Sequence, residues 1–201
     1  MTKKISKKTM NENLRKVTSK IDGKVKIDLG CGKWKKEGYA GFDMAPLPNV
    51  DVVCDLNKGI PLPDKSVDRV YTTHFLEHVD NPLFLIEEIW RVLKVEGIVE
   101  IKVPHWSNWL AYNPTHRSFW ASNSFDIFDP KSKFFFYSKA SFNILSLKLV
   151  YGDLGGRFFF TRMARNIFQK ILNINHIWSE KFIVKYISAY EMHVFLRKVI
   201  A

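Results

Sequence analysis

Cysteine is almost absent: Cys31 and Cys54 are the only two in 201 residues. Two thiols cannot build the disulfide framework of a small secreted scaffold, which points to a reducing, cytoplasmic setting. No apolar run reaches the ~18 residues that a membrane-spanning helix needs. The N-terminus, Met1-Thr2-Lys3-Lys4, is basic but leads into no apolar stretch, so it does not spell a secretory signal. Glycine is sparse as well. No phosphate-binding P-loop is spelled, and Gly30-Cys31-Gly32-Lys33-Trp34-Lys35 lacks the third glycine of a dinucleotide fingerprint. The next carboxylate, Asp43, comes 13 positions after Gly30, well short of the ~20 of the nicotinamide pattern. No internal repeat is present.

Acidic residues are scarce at both ends. The net charge is +6 over residues 1–24, −4 over 25–130 and +9 over 131–201, together the +11 of the chain. Basic ends leave an anionic partner open: nucleic acid, a phosphorylated metabolite or a membrane surface. A solvated basic surface explains them equally well.

What is present is a stretch of short apolar segments that end in glycine or a lone polar residue. Residues 1–20 read as a basic tail or a short helix from about Met10 to Val17. Val25–Leu29 reads as a strand closed by Gly30-Cys31-Gly32. Tyr39–Phe42 ends at Asp43, Asp51–Cys54 ends at Asp55, and Asp68–Thr73 ends at His74. Asp80-Asn81-Pro82 is a helix start, a capping side chain before a proline in the first turn. Leu83, Ile86, Trp90 and Leu93 then give one apolar face, with Gly97 as the C-terminal cap. Ile98–Val103 is a strand stopped by Pro104.

Residues 105–143, rich in aromatics, read as a long loop with short helices. Phe142–Tyr151 is a strand ended by Gly152. Residues 157–188 read as inserted helices, with Phe160, Met163, Ile167 and Ile171 on one face and Arg162, Arg165 and Lys170 on the other. Glu191–Ile200 is the last strand. The alternation predicts an α/β fold: a Rossmann-like, doubly wound, mostly parallel seven-stranded sheet. Residues 21–201 are expected to form one domain, 25–104 its ligand-binding half and 105–201 its substrate half, with an aromatic, helical C-terminal lid.

In such a sheet the ligand lies outside the carboxyl ends of the strands. A glycine loop followed by two carboxylates suits a nucleoside without a pyrophosphate. One carboxylate would accept from the ribose hydroxyls and the other from the base.

These residues resemble a known set. Asp28-Leu29-Gly30-Cys31-Gly32 resembles the first motif of class I S-adenosylmethionine-dependent methyltransferases. Asp43 is similar to their acidic ribose ligand, and Asp55-Leu56 to their adenine-contacting pair. His74-Phe75-Leu76-Glu77-His78-Val79 resembles the Leu-Glu-His motif of the type 11 branch. Trp90-Arg91-Val92-Leu93-Lys94 with Gly97 is similar to the helix and turn that follow. The resemblance covers residues 25–104.

It implies S-adenosylmethionine as cofactor and S-adenosylhomocysteine as product. The implied cofactor-binding residues are Asp28, Gly30, Cys31, Gly32, Asp43, Met44, Asp55, Leu56, His74 and Phe75. One departure is the first crossover: only Lys33–Gly38 lie between the glycine loop and the second strand, room for about one helical turn. The N-terminal segment is expected to fill the vacated space.

For in-line methyl transfer to an oxygen or nitrogen, the candidate catalytic residues are His105, His116 and His74, with His105 and His116 favoured. Glu77 and His78 are read as holding the loop to the helix start. His74-x-x-Glu77-His78 spells an inverted zinc-protease motif, but His74 ends a strand, so no metal site is expected. Trp106, Trp109, Tyr112, Phe119, Trp120, Phe125, Phe128 and Phe134–Tyr137 divide between core and a cover over the methyl group. The expected partner is a small-molecule methyl acceptor, aromatic or anionic. Nucleic acid and a peripheral membrane contact are less favoured, and the oligomeric state is open. An RNA methyltransferase and a non-catalytic S-adenosylmethionine-binding protein are the alternatives.

Overall fold

The computed structural model describes residues 6–17, 23–151, 166–167, 169–184, 186 and 188–200. Its elements in chain order are α1 (Lys7–Val17), β1 (Lys26–Leu29), β2 (Ala40–Asp43), β3 (Val52–Val53), β4 (Val67–Thr73), α2 (Pro82–Val92), β5 (Leu93–Pro104), β6 (Phe142–Tyr151), α3 (His176–Phe182) and β7 (Ala189–Lys198). The strands form one seven-stranded sheet in the order β3-β2-β1-β4-β5-β7-β6. Pairings from β3 through β5 are parallel, and β7 runs antiparallel to both β5 and β6. This is the Rossmann-like, mostly parallel sheet that the alternation predicts. The strand order turns back at β1, between β2 and β4, and an open α/β sheet has its ligand crevice at such a switch point, outside the carboxyl ends of the strands.

Burial on both faces explains the composition of the central strands. Ile27, Leu29, Val70, Val99, Ile101 and Val103 are at most 1% exposed. At the far edge β3 has only two residues, between a bend at Asp51 and the 3-10 turn Leu56–Lys58.

The first crossover lacks even the single helical turn expected of it. Residues 33–38 contain turns and no helical turn. Lys36 makes three of the contacts that hold this link. The Lys36 amide donates to Asp28 Oδ2 (2.8 Å), its ammonium pairs with Glu100, and the same ammonium sits 3.9 Å above the Tyr71 ring. β2 is crowded from both sides: a Cβ on Gly41 would lie 2.6 Å from Cys31 Sγ, 2.8 Å from the Asn49 carbonyl oxygen and 2.9 Å from Lys35 Cδ of the link. Only glycine fits in that strand. Beside the link, Val17 at the end of α1 is buried, and Lys16 and Val17 share a cleft with Lys35, Gly38 and Tyr39. Asn13 ties α1 down by donating to the Pro61 carbonyl (3.1 Å).

α2 starts as expected: the Asn81 side chain accepts from the Phe84 amide, and Pro82 occupies the first turn. Its end does not. The helix stops at Val92, and Gly97 lies inside β5 rather than at a helix C-cap. The register slips there, from Val67 opposite Leu93 to Arg69 opposite Ile98, with Glu96 at φ 63°. Gly97 is part of this bulge. The buried face is also rotated: Leu85, Ile86, Ile89 and Val92 face the core, and Leu83 and Trp90 flank it.

β6 matches its expected span, and β7 starts two residues before its expected start. Between them, Phe160, Arg162, Met163 and Arg165 lie outside the described residues. Ile167 and Ile171 are exposed, and Leu172 is buried. Asn173 bonds both backbone groups of Leu149, at 2.8 and 2.9 Å, fastening this segment to the β6 edge. No helix among the described residues is long and apolar enough to cross a membrane.

Candidate functional site

The crevice is built from the turns after β1, β2, β3 and β4. Gly30 follows β1 at φ 67° and Gly32 at φ 49°. Phe75 packs directly on Gly30, where a Cβ would come within 2.6 Å of the Phe75 Cβ. Space above Gly32 is open, with no atom within 4 Å of a Cβ built there. Asp43, at the end of β2, closes the loop: its Oδ2 accepts from the Gly32 amide and its Oδ1 from the Ala45 amide, both at 2.9 Å. Met44 follows, 71% exposed. One turn away, Asp55 caps a short 3-10 turn by accepting from the Asn57 amide (3.1 Å). The Lys58 ammonium pairs with it at 2.9 Å and holds its carboxyl below the usual range.

Three of the expected cofactor residues are buried. The Leu56 side chain is buried, so only its backbone borders the crevice. Asp28 is fully buried in β1; its Oδ2 holds the Lys36 amide and its Oδ1 has no hydrogen-bond partner. Burial pushes its carboxyl up to about 6 from 3.8. Cys31 beside it is a buried thiol pushed up to about 11, chiefly by desolvation, and is no nucleophile at neutral pH.

Asp28 gives stability a pH dependence. Its pKa is higher in the fold than in the open chain, so its contribution favours folding below about pH 4 and is lost as pH rises through about 6. The shift corresponds to about 2–3 kcal/mol. Urea unfolding at both pH values should show Asp28→Asn gaining on the parent by that order as pH rises from 4 to 7.5. A constant difference across this range would show that Asp28 does not titrate in this way.

The three candidate catalytic histidines differ in their partners. His105 is fully buried; its Nε2 lies 2.8 Å from Glu180 Oε1 on α3 and its Nδ1 lies 2.8 Å from Ser107 Oγ. Glu180 Oε1 also accepts from the Ser122 amide. With both nitrogens engaged inside the protein, His105 fastens α3 to the loop after β5 and cannot act as a base on a ligand. His74, at the strained φ of 48°, is held by Glu191 Oε2 at 3.0 Å and lies 3.5 Å from Glu77 Oε1. These carboxylates, Glu191 foremost, push it up to about 9, so at neutral pH it carries a proton and cannot take one. His116 donates its Nδ1 hydrogen to the Ala111 carbonyl (3.0 Å), and its Nε2 has no partner among the described residues.

Glu191 was not read from the sequence as a site residue. It bridges His74 and His193, at 3.0 and 2.6 Å, and is driven down to about 2 by them, His193 first. The only hint in the sequence is a carboxylate two residues before a histidine in a strand. The link to His74 arises only because β7 inserts beside β5.

The aromatic half divides. Trp120, Phe125 and Phe128 are core, with Trp120 stacked on Phe125 at 5.3 Å. Trp109, Tyr112 and Phe119 are 77%, 62% and 55% exposed, and Tyr112 and Phe119 lie 5.3 Å apart. They flank the segment that carries His116.

Comparison with known proteins agrees with this geometry. Residues 33–101 match the family model described as a methyltransferase domain, of type 11. No match was found among curated protein sequences. Solved structures with the same fold include a SAM-dependent methyltransferase from Archaeoglobus fulgidus, with 16% identity and TM-score 0.54 over 94% of this chain and 91% of that one. A putative methyltransferase from Bacillus halodurans has 14% identity and TM-score 0.55, over 96% and 100%. A complex of the Haloferax volcanii Trm112 methyltransferase activator with a putative methyltransferase has 15% identity and TM-score 0.57, over 96% and 89%. The matched segment begins just after the glycine loop and runs through most of β5, so the ligand-binding half of the chain is similar to type 11 methyltransferase domains, within a sheet whose fold SAM-dependent methyltransferases of known structure share.

Proposed function

We propose that the protein transfers the methyl group of S-adenosylmethionine to an oxygen or nitrogen of a small or medium acceptor bound at the rim of the crevice. The observation that carries this reading is Asp43. It stands at the end of β2, fixed by the Gly32 and Ala45 amides, beside open space at Gly32 and an exposed Met44. Each of its oxygens keeps a lone pair, so the carboxylate can accept from a ribose diol while still bracing the loop. Met44 offers an apolar cover for a purine face. The turn at Asp55 offers an acceptor for an exocyclic amine, with the Leu56 backbone next to it.

Bound there, the cofactor supplies an electrophilic sulfonium methyl. The chain's own task is to align an acceptor against it and exclude water. Trp109, Tyr112 and Phe119 suit an aromatic or apolar acceptor. Protonated His74, held by Glu191, places a positive charge at the rim, which suits an acceptor with an anionic group. The free thiols fit a reducing, cytoplasmic setting.

Calorimetric titration with S-adenosylhomocysteine tests the site. The parent should bind, and Asp43→Ala should bind ~10–100-fold more weakly, the loss expected for a charged hydrogen-bond acceptor. Asp43→Asn, which keeps one acceptor for the loop amides, should fall between them. A parent that binds no S-adenosylhomocysteine would sink the proposal.

A further inference from the structure

The turn after β4 meets the loop carrying His116 over a carboxylate that has no hydrogen bond. Glu77 is fully buried, and neither Oε1 nor Oε2 has a hydrogen-bond partner among the described residues. The nearest cation is His74, whose Nδ1 stands off at 3.5 Å. A buried carboxylate left this way is costly unless a further positive charge reaches it. His78 and His116 are the groups that face it. One potential ligand atom from each of Glu77, His78 and His116 lies within 4.8 Å of the other two.

The surroundings hold this trio in place. The Arg117 amide donates to the Glu77 carbonyl (2.6 Å), locking the two segments together. The rings of His78 and His116 meet edge to face, 4.6 Å between centroids. His116 Nδ1 lies 3.0 Å from the Ala111 carbonyl, and His78 Nδ1 lies 3.3 Å from the Thr115 carbonyl and 3.2 Å from its hydroxyl. A carbonyl only accepts, so in both rings Nδ1 carries the hydrogen and Nε2 keeps its lone pair. Metal-bound imidazoles use this pattern, a backbone acceptor on one nitrogen and the ion on the other.

We infer that Glu77, His78 and His116 form a binding site for a divalent transition-metal ion, with Zn²⁺ the best match. Two imidazoles and one carboxylate are a zinc donor set that leaves a coordination position open. Bonds of ~2.0–2.2 Å place tetrahedral ligands about 3.4 Å apart, so the trio has to contract by roughly 1 Å. His78 is exposed, and a turn of its ring inward would supply this contraction. The sequence reading expected no metal because His74 ends a strand. The fold keeps His74 on Glu191 and brings His116 into the place that the inverted zinc spelling gives to His74. Only the role of the open position rests on the methyltransferase reading: it would take an acceptor oxygen or nitrogen beside the crevice.

The test is a calorimetric titration of the chelator-stripped full chain with Zn²⁺, run beside one with S-adenosylhomocysteine. One ion should bind per chain. Glu77→Gln, His78→Ala and His116→Ala should each weaken it by at least ~10-fold, and His193→Ala should not. Because His78 is exposed, its variant keeps the fold and remains informative if Glu77→Gln unfolds. No stoichiometric Zn²⁺ binding by the parent, or full affinity in both His78→Ala and His116→Ala, overturns the site. S-adenosylhomocysteine binding in the same preparation reports separately on the cofactor site.

Discussion

Replacing Gly30 with alanine should destabilise the protein by about 3 kcal/mol or more and abolish cofactor binding. Two effects add. At φ 67° a Cβ is disfavoured by ~1–2 kcal/mol whatever surrounds it. The new methyl would also lie 2.1 Å from Phe75 Cγ and 2.6 Å from Phe75 Cβ. Turning the ring relieves the first contact and leaves the second, because Cβ moves only with the backbone. The double variant Gly30→Ala/Phe75→Ala should therefore stay destabilised. The backbone of that turn is itself pinned, since the His78 amide donates to the Phe75 carbonyl (2.9 Å) and the His74 amide to the Lys102 carbonyl (2.9 Å). Thermal unfolding followed by circular dichroism decides the matter. A midpoint within a degree or two of the parent, or full recovery in the double variant, would show that the loop yields more readily than its contacts indicate.

The second large effect is expected far from the crevice, at Lys198. This residue ends β7, is 1% exposed, and donates to the Trp90 carbonyl at 2.6 Å and the Leu93 carbonyl at 2.8 Å. Those carbonyls lie at the C-terminus of α2, where a helix has unsatisfied acceptors and a favourable field for a cation. The ammonium also sits 4.2 Å from the centre of the Trp90 ring. Trp90 completes the clamp, its Nε1 reaching the Ser141 and Val199 carbonyls at 3.0 and 3.3 Å. Lys198→Met keeps the apolar stem and removes the donors, leaving two carbonyls without them. The expected loss is about 2–4 kcal/mol, read as a lower urea midpoint at unchanged slope. Trp90→Phe, which loses one weaker pair of contacts, should lose less. If Lys198→Met equals the parent, desolvation of the ammonium must cancel its hydrogen bonds.

Both effects depend on the order of the sheet, and the sequence carried only part of that order. Strands and their ends were legible wherever a local signal marked them. The glycine loop, Asp43 and the Asn81-Pro82 helix start lie where spacing placed them, because caps and positive-φ turns are set by a few neighbouring residues. The strand from Phe142 to Tyr151 was legible for the same reason, an apolar run bounded by turn residues.

Errors came where distant segments decide. Gly97 resembles a helix cap in one dimension, but pairing of β5 with β4 extends the strand back to Leu93 and folds the glycine into a bulge. Ile167 and Ile171 have helical spacing and yet face outward, since spacing gives a face without saying what covers it.

The histidines show the same division most clearly. By sequence, His74, His105 and His116 are three polar groups at the carboxyl rim. What each can do depends on a partner brought from elsewhere: Glu191 of β7 for His74, Glu180 of α3 for His105, and the carboxylate of Glu77 facing His116. The sequence alone sufficed for a parallel sheet with a glycine turn and carboxylates at its strand ends, because glycine, acidic and capping residues act on the backbone within a few positions of themselves. Only the tertiary structure decided which histidine is a buried clamp, which is a fixed cation and which keeps a free nitrogen. Charge, burial and hydrogen-bond partners belong to contacts between segments up to 117 residues apart, and no local pattern contains them.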